Sequence, residues 1–222
     1  MAFRLPRSLF IHTPKTGGQW VVAALECARV PITPVGAVHT THDEISSDLL
    51  NDEMPFTFAM IRHPLRWYQS MWAHQTDDEW EPIDAKDWFT PRWLEFWADF
   101  TRHCASYDFP DFVRRCLDHY PRGLVSALYD SYTSRCDFVG KQEHLADDLI
   151  MALKRAGETF DEVRLRNAPQ RNVRGGRPHR AKASQYTRGL AEAVADRERE
   201  VIERFKYEKI PSSILGVLED HS

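Results

Sequence analysis

A strand–loop–helix unit at the start of the chain constrains the fold more than any other feature of the sequence. Residues 8–12 (SLFIH) form a short apolar run, which predicts a buried strand. The turn-rich segment TPKTGG follows at positions 13–18, and residues 19–29 (QWVVAALECAR) carry apolar side chains at helical spacing. A unit of this kind is typical of the opening of an α/β fold.

Further strand and helix patterns follow along the chain. The strongest strand pattern is FTFAMI at residues 56–61, and Pro64 then begins a predicted helix, since proline is tolerated in a first helical turn. Other strands are predicted at 35–38 and 137–139, and other helices at 43–50, 91–103, 110–120, 145–156 and 189–207. Residues 163–190 are rich in arginine and lack acidic residues, which predicts a basic loop. We therefore expect an α/β fold with a parallel sheet flanked by helices, in a single domain.

Length, charge and cysteine content narrow the class of protein. A chain of 222 residues is long enough for one sizeable core, and its net charge of −4 argues against a general nucleic-acid or membrane-surface binder. The four cysteines include no C-x-x-C pair, and no apolar run approaches the roughly 18 residues of a membrane-spanning helix. We expect a cytoplasmic protein with reduced thiols, no metal and no nucleic-acid partner.

The loop between the first strand and the first helix has the composition of an anion site. Gly17 and Gly18 allow a close backbone approach, the helix that follows presents unpaired N–H groups, and Lys15 adds a positive charge. The order differs from G-x-x-x-x-G-K-[ST], because Lys15 precedes the glycines. The alternative is a turn with two glycines and a surface lysine.

A second basic segment follows the strongest strand. Arg62 stands at its carboxyl end, and Ser70 lies about two helical turns further on. Ligands of open α/β sheets bind at the carboxyl ends of the strands, so Arg62 and the first loop are expected to face one crevice. Arginine contacts phosphate in bidentate fashion. The alternative is an arginine paired with a carboxylate and a serine on a solvated helix face.

The two segments together carry a resemblance to a known family. The pattern H-x-P-K-T-G-G, followed later by AMIRHPLRWYQS, resembles the sulfotransferase superfamily in its Golgi-type and bacterial branch. The resemblance implies a P-loop-NTPase-like sheet and 3′-phosphoadenosine 5′-phosphosulfate (PAPS) as co-substrate. It implies that the loop binds the 5′-phosphosulfate and that Arg62 and Ser70 bind the 3′-phosphate. The 5′ binding site would comprise Pro14, Lys15, Thr16, Gly17 and Gly18. Weaker resemblance extends through residues 138–145, 172–173 and 205–207.

The sequence departs from the family pattern directly after the glycines. Family members carry threonine or serine there, whereas this chain has Gln19 and Trp20. The backbone N–H groups of both residues can still serve, and the Gln19 amide can replace one hydroxyl. Trp20 packs either against adenine or against the sheet.

The resemblance also divides the chain by function. A donor-binding core is expected at about 8–75 and 135–210, with a helical acceptor-side insertion at about 76–132 that includes several tryptophans. A basic segment closes over the donor in the family, which implies such a role for Arg171, Arg174 and Arg177. An equal alternative is that these arginines bind an anionic acceptor.

Sulfonate transfer needs charge stabilisation and a base. Lys15 is the natural group to neutralise the bridging oxygen as its bond to sulfur breaks. The candidate bases, in order of preference, are His39, His42 and Glu44, which follow a predicted strand. The alternative is a polar helix start with both histidines solvated.

Two other functions stay open from the sequence alone. One is a P-loop-type nucleotide or small-molecule kinase, against which the position of Lys15 argues. The other is a catalytically inactive nucleotide-binding protein, which Gln19 and Trp20 favour. The acceptor of a sulfotransferase would be a hydroxyl of a carbohydrate, lipid or small metabolite.

Overall fold

A computed structural model describes residues 1–45, 55–77, 80, 91–169 and 183–215 and divides the chain into two compact units. We call the first the sheet unit; it comprises Met1–Arg62, Ala85–Trp93 and Tyr129–Val173. We call the second the helical unit; it comprises His63–Asp84, Leu94–Leu128 and Arg174–Ser222. The single-domain organisation, with its core and insertion boundaries, stays a prediction.

The sheet unit is an α/β structure built on a mixed five-stranded sheet. Its strands are β1 (Ala2–Arg4), β2 (Ser8–Ile11), β3 (Thr33–Val35), β4 (Phe56–Ile61) and β5 (Phe138–Lys141). They lie in the order β3-β1-β2-β4-β5. β2, β4 and β5 are parallel neighbours, whereas β1 is antiparallel to both β2 and β3. The expected parallel pairing is confirmed for β2, β4 and β5, but the sheet as a whole is mixed because the unpredicted strand β1 runs in the opposite direction.

A row of phenylalanines crosses four strands and anchors the core. The register aligns Phe3, Phe10, Phe58 and Phe138 on one face of the sheet. The ring centroids of Phe10 and Phe58 are 5.3 Å apart, and both side chains are fully buried. Burial of a side chain of this size contributes about 1.5–3 kcal/mol. The row therefore fixes how the strands pair.

Three helices cover this face of the sheet. They are α1 (Gly18–Cys27), α6 (Leu145–Ala156) and α7 (Glu162–Arg166). Each contributes apolar side chains to one buried cluster with the strands. α6 ends at Gly157, whose φ of 71° places it in the left-handed region that suits a helix terminus, as its sequence predicts. Packing on this face thus positions the start of α1, which follows β2 after the first loop.

A buried carboxylate fastens the turn between β1 and β2. Glu158, just after α6, accepts hydrogen bonds from the Arg7 N–H at 2.8 Å and from the Ser8 hydroxyl at 2.7 Å. Glu158 and Ser8 are both buried, so these bonds are shielded from water. The turn is thereby held at the amino end of β2, opposite the end that leads into the first loop.

The helical unit is assembled around aromatic side chains. Its helices are α2 (Pro64–Asp77), α4 (Phe109–His119), α8 (Arg188–Arg197), α9 (Arg199–Arg204) and α10 (Ser212–Leu215). Two more, α3 (Pro91–Cys104) and α5 (Leu124–Thr133), have residues in both units. Trp80 packs 5.7 Å from Phe112 and 6.1 Å from Phe100, measured between ring centroids. Core packing therefore accounts for Trp80.

One buried carboxylate organises the helical unit. Glu198 accepts hydrogen bonds from the Tyr68 hydroxyl (2.8 Å), the Val125 N–H (3.0 Å) and both the N–H and hydroxyl of Ser126 (each 2.8 Å). These N–H groups belong to the first turn of α5, which lacks partners within its own helix. Burial raises the pKa of Glu198, and the bonds from Ser126, Val125 and Tyr68 oppose that rise. The predicted helix at 189–207 is accordingly two helices that meet at Glu198.

Other predicted elements are confirmed with shifted bounds, and some were not foreseen. The predicted basic loop at 163–190 is wrong at its start, because Asp161 accepts a hydrogen bond from the Arg164 N–H and begins α7. Of the predicted helix at 43–50, the structure describes a short 3-10 turn at His42–Glu44, and positions 46–50 lie outside the described residues.

Among the helices that the structure describes, none has both the length and the apolar character for crossing a membrane.

Candidate functional site

The loop between β2 and α1 has a constrained backbone. We call residues 12–18 the 12–18 loop. Lys15 and Gly17 both lie in the left-handed region, with φ of 65° and 90°. This conformation is uncommon for a lysine and is concentrated at functional sites. A Cβ on Gly17 would lie 2.8 Å from the Leu145 side chain, so a larger residue there would also displace Leu145.

Hydroxyl groups shape the interior of the 12–18 loop. The Thr16 hydroxyl donates to the Thr13 carbonyl at 2.8 Å, and both residues are fully buried. The Thr13 hydroxyl is also buried and has no hydrogen-bond partner among the residues that the structure describes. The N–H groups of Trp20 and Val21 both reach the Gly17 carbonyl. The loop therefore closes on itself at the start of α1. The expectation that the Trp20 N–H serves the ligand is wrong, because that group bonds to the Gly17 carbonyl instead.

His12 lies directly against the start of α1. A Cβ on Gly18 would lie 1.9 Å from the His12 ring, which means that glycine is required for this close approach. Burial, aided by the positive charges of the Met1 amino group and Lys15, lowers the pKa of His12 to about 4. The ring is consequently neutral near pH 7. The sequence pattern included His12, but gave it no role.

Arg62 meets the 12–18 loop at the carboxyl edge of the sheet. The Arg62 Nη1 atom lies 3.5 Å from the Lys15 carbonyl oxygen. Arg62 follows β4, which is the parallel neighbour of β2, so both segments leave the sheet at the same edge. The convergence that the sequence predicts for Lys15 and Arg62 is present.

A buried tyrosine fixes the backbone of Arg62. The Tyr129 hydroxyl accepts from the Arg62 N–H at 3.0 Å and donates to the Arg62 carbonyl at 2.8 Å. Tyr129 is fully buried, so it fixes the carboxyl end of β4 from inside the sheet unit. Sequence reasoning missed Tyr129, because it lies on α5, a helix without a clear start signal.

The candidate bases occupy different environments. His39 is half-buried with φ of 61°; its carbonyl accepts from the Tyr132 hydroxyl at 2.8 Å. Its ring lies 4.1 Å from the Trp93 ring and 6.0 Å from the His12 ring, centroid to centroid. His39 therefore shares an aromatic cluster with His12, at the start of the 12–18 loop.

The surroundings of His42 and Glu44 differ from those of His39. His42 is buried; burial and the charge of Arg135 lower its pKa, while Asp43 and Asp137 oppose that shift. The Glu44 carboxylate accepts from the Thr41 N–H and hydroxyl at 2.8 and 2.9 Å, as a capping box does. This cap accounts for Glu44 without a role as base.

The remaining predicted site residues lie in other surroundings. Gln19 is exposed on the first turn of α1, and Trp20 packs against the buried core cluster of the sheet unit. Ser70 is half-buried on α2 in the helical unit, and its role beside Arg62 stays a prediction. The basic segment with Arg171, Arg174 and Arg177 lies outside the described residues.

These features define an α/β protein in which a strand–loop–helix turn and an arginine converge at the carboxyl edge of a mixed sheet. Comparison with family models, with curated proteins and with solved structures finds no match to this chain.

Proposed function

We propose that this chain is a PAPS-dependent sulfotransferase that transfers the sulfonate group to a hydroxyl of a carbohydrate, lipid or small metabolite. The observation that supports the proposal is the 3.5 Å approach of the Arg62 Nη1 atom to the Lys15 carbonyl oxygen. One nucleotide with phosphates at both its 5′ and 3′ positions fits two basic segments that meet at one edge. The parallel strands β2, β4 and β5 would then be the core of a P-loop-NTPase-like sheet, with β1 and β3 as additions.

The 12–18 loop would hold the 5′ end of the donor. Thr16, Gly17 and Gly18 surround the start of α1, where N–H groups and the helix dipole favour an anion. The left-handed backbone at Lys15 and Gly17 turns the loop sharply at this point. Arg62, fixed through Tyr129, would take the 3′-phosphate. Gln19 would add an amide at the exposed first turn of α1.

In the transfer step the acceptor oxygen forms a bond to sulfur while the bond from sulfur to the 5′-phosphate oxygen breaks. Negative charge grows on that phosphate oxygen, and Lys15 would neutralise it. The acceptor hydroxyl gives its proton to a base. Among the candidates we assign this role to His39, because its ring shares a cluster with His12 beside the 12–18 loop, whereas Glu44 serves a cap.

The donor-binding step is tested by titration with 3′-phosphoadenosine 5′-phosphate (PAP), the donor product. We expect PAP to raise the melting temperature while ATP with magnesium does not. Arg62→Gln should weaken PAP binding at least about tenfold, in line with loss of one charged contact. The matched control is Arg135→Gln, in the same unit, where an exposed arginine pairs with Asp43 instead. Stabilisation by ATP–magnesium alone would favour the kinase alternative and contradict the proposal.

Transfer itself is tested with PAPS and a panel of hydroxyl acceptors. Lys15→Ala should reduce turnover at least about 10²-fold with PAP affinity less affected, and Lys154→Ala, on the surface of α6, should leave turnover unchanged. His39→Ala should lower turnover more than His42→Ala. PAP binding without transfer to any acceptor would indicate an inactive nucleotide-binding protein. Full turnover in Lys15→Ala would remove Lys15 from the mechanism.

A further inference from the structure

Two neighbouring helices of the helical unit bring three metal-ligand side chains together. Asp99 and His103 lie one turn apart on α3, and His119 is the last residue of α4. The two helices are joined through residues 105–108, and the rings of Phe100 and Phe112 pack edge to face between them at 6.0 Å. The apolar contact therefore holds the three polar side chains opposite one another.

The donor atoms of this cluster converge. The Nε2 atom of His119 lies 2.8 Å from one oxygen of Asp99, and the Nε2 atom of His103 lies 3.7 Å from the other. The two imidazole rings are stacked, with centroids 4.2 Å apart and planes inclined by 13°. All ligand atoms lie within 4.8 Å of one another. Around a tetrahedral zinc ion, ligand atoms about 2.1 Å from the metal lie about 3.4 Å apart. The separations of 2.8 and 3.7 Å between the imidazole nitrogens and the Asp99 oxygens bracket that spacing.

We propose that Asp99, His103 and His119 form a site for a divalent transition-metal ion of the zinc type. Two imidazole nitrogens with one carboxylate suit zinc, nickel and copper rather than magnesium or calcium, which prefer oxygen ligands. Three protein ligands leave a fourth position for water. The bound ion would link α3 to α4 across their short connection.

The surroundings of the cluster match such a role. The Tyr120 hydroxyl donates to Asp99 Oδ2 at 3.0 Å, which orients the carboxylate as outer-shell partners of metal ligands do. The side chains are 45% exposed for Asp99 and His103 and 30% for His119, so an ion can enter from solvent. The sequence predicts no metal, because a helix turn and a distant third ligand form no recognisable motif. The site is independent of the proposed sulfonate transfer, since that reaction needs no metal and its residues at Lys15 and Arg62 belong to the sheet unit.

The test uses the full chain after treatment with a chelator. Cobalt(II) is titrated while visible absorption is recorded, and zinc binding is measured by calorimetry and by competition with cobalt. We expect one equivalent bound, a higher melting temperature and no competition by magnesium. Asp99→Asn and His119→Gln should each weaken binding at least about tenfold. The matched control, His144→Gln, changes an exposed histidine outside the cluster and should bind as the parent does.

Two results would overturn the proposal. One is unchanged cobalt affinity in Asp99→Asn and His119→Gln; the other is a near-ultraviolet thiolate band, which would place the ion on cysteine. His103→Gln provides a second variant at a half-exposed position, where folding is expected to survive. Far-ultraviolet circular dichroism of each variant verifies the helices. Unchanged affinity in folded His103→Gln would also contradict the assignment.

Discussion

Removing the Tyr129 hydroxyl tests how the sheet unit positions Arg62. The variant Tyr129→Phe keeps the buried ring and deletes the two hydrogen bonds that the hydroxyl forms with the Arg62 N–H and carbonyl. Each bond is worth about 0.5–1.5 kcal/mol net, and a buried backbone group left unpaired costs about 1–3 kcal/mol. We expect the free energy of unfolding to fall by about 2–3 kcal/mol. For a chain of this length that corresponds to a melting temperature about 4–12 °C lower.

The same variant should affect the proposed donor site. Without the clamp, the backbone at the end of β4 can shift, and with it the guanidinium that approaches Lys15. We expect PAP to bind about five- to tenfold more weakly, a loss of about 1–1.4 kcal/mol. Stability is measured by urea unfolding and affinity by calorimetry. Tyr107→Phe is the control, because Tyr107 is 67% exposed and its ring hydroxyl lies in the helical unit.

The two readouts separate structure from function. Unchanged unfolding free energy in Tyr129→Phe would refute the clamp and the reasoning from its two bonds. Equal losses in Tyr129→Phe and Tyr107→Phe would refute it as well. A loss of stability with full PAP affinity would keep the clamp but separate it from donor binding.

Two further predictions concern titratable groups whose pKa values are shifted by burial. The pKa of His12 is lowered to about 4 from its ordinary value of 6.5, so the folded protein favours the neutral ring. This preference contributes up to about 3 kcal/mol to the free energy of unfolding above pH 6.5, and the contribution is lost as the pH falls towards 4. Urea unfolding between pH 7 and pH 4.5 should therefore show a shallower decline in His12→Gln, and an unchanged decline would contradict it. In Glu198→Gln, either orientation of the amide sets its NH₂ group against a donor, namely the Val125 N–H or the donors of Ser126. We therefore expect the free energy of unfolding to fall by about 1–3 kcal/mol. Glu200→Gln, an exposed neighbour, should leave stability unchanged, and equal values for the two variants would count against the cap.

The sequence predicts well those elements whose pattern is local. The apolar runs at 8–12 and 56–61 are β2 and β4, and the helix at 145–156 ends at Gly157 as expected. Strand β1 has three residues, too few to show the alternation of apolar and polar side chains that marks a strand. Helix α5 has no capping side chain from its own segment at its start. Its cap is Glu198, far away in sequence, so no local pattern could indicate it.

The candidate site was predictable in its basic residues and not in its supports. Lys15 and Arg62 follow two strands, and the parallel pairing of those strands brings them to one edge. The supporting contacts of Tyr129 and Tyr132 depend on tertiary packing, which spacing alone does not encode. The position of His12 against Gly18 could have been inferred from the paired glycines, since a glycine at a helix start often admits a close neighbour.

The edge strands of the sheet have a consequence for self-association. Among the strands that the structure describes, the edge strands are β3, three residues long with Pro34 at its centre, and β5, four residues ending at Lys141. Proline offers no N–H to a new strand, and lysine on an edge strand disfavours its approach. A second copy of the chain would therefore gain few main-chain bonds by lengthening the sheet, so fibril-like stacking through either side is disfavoured.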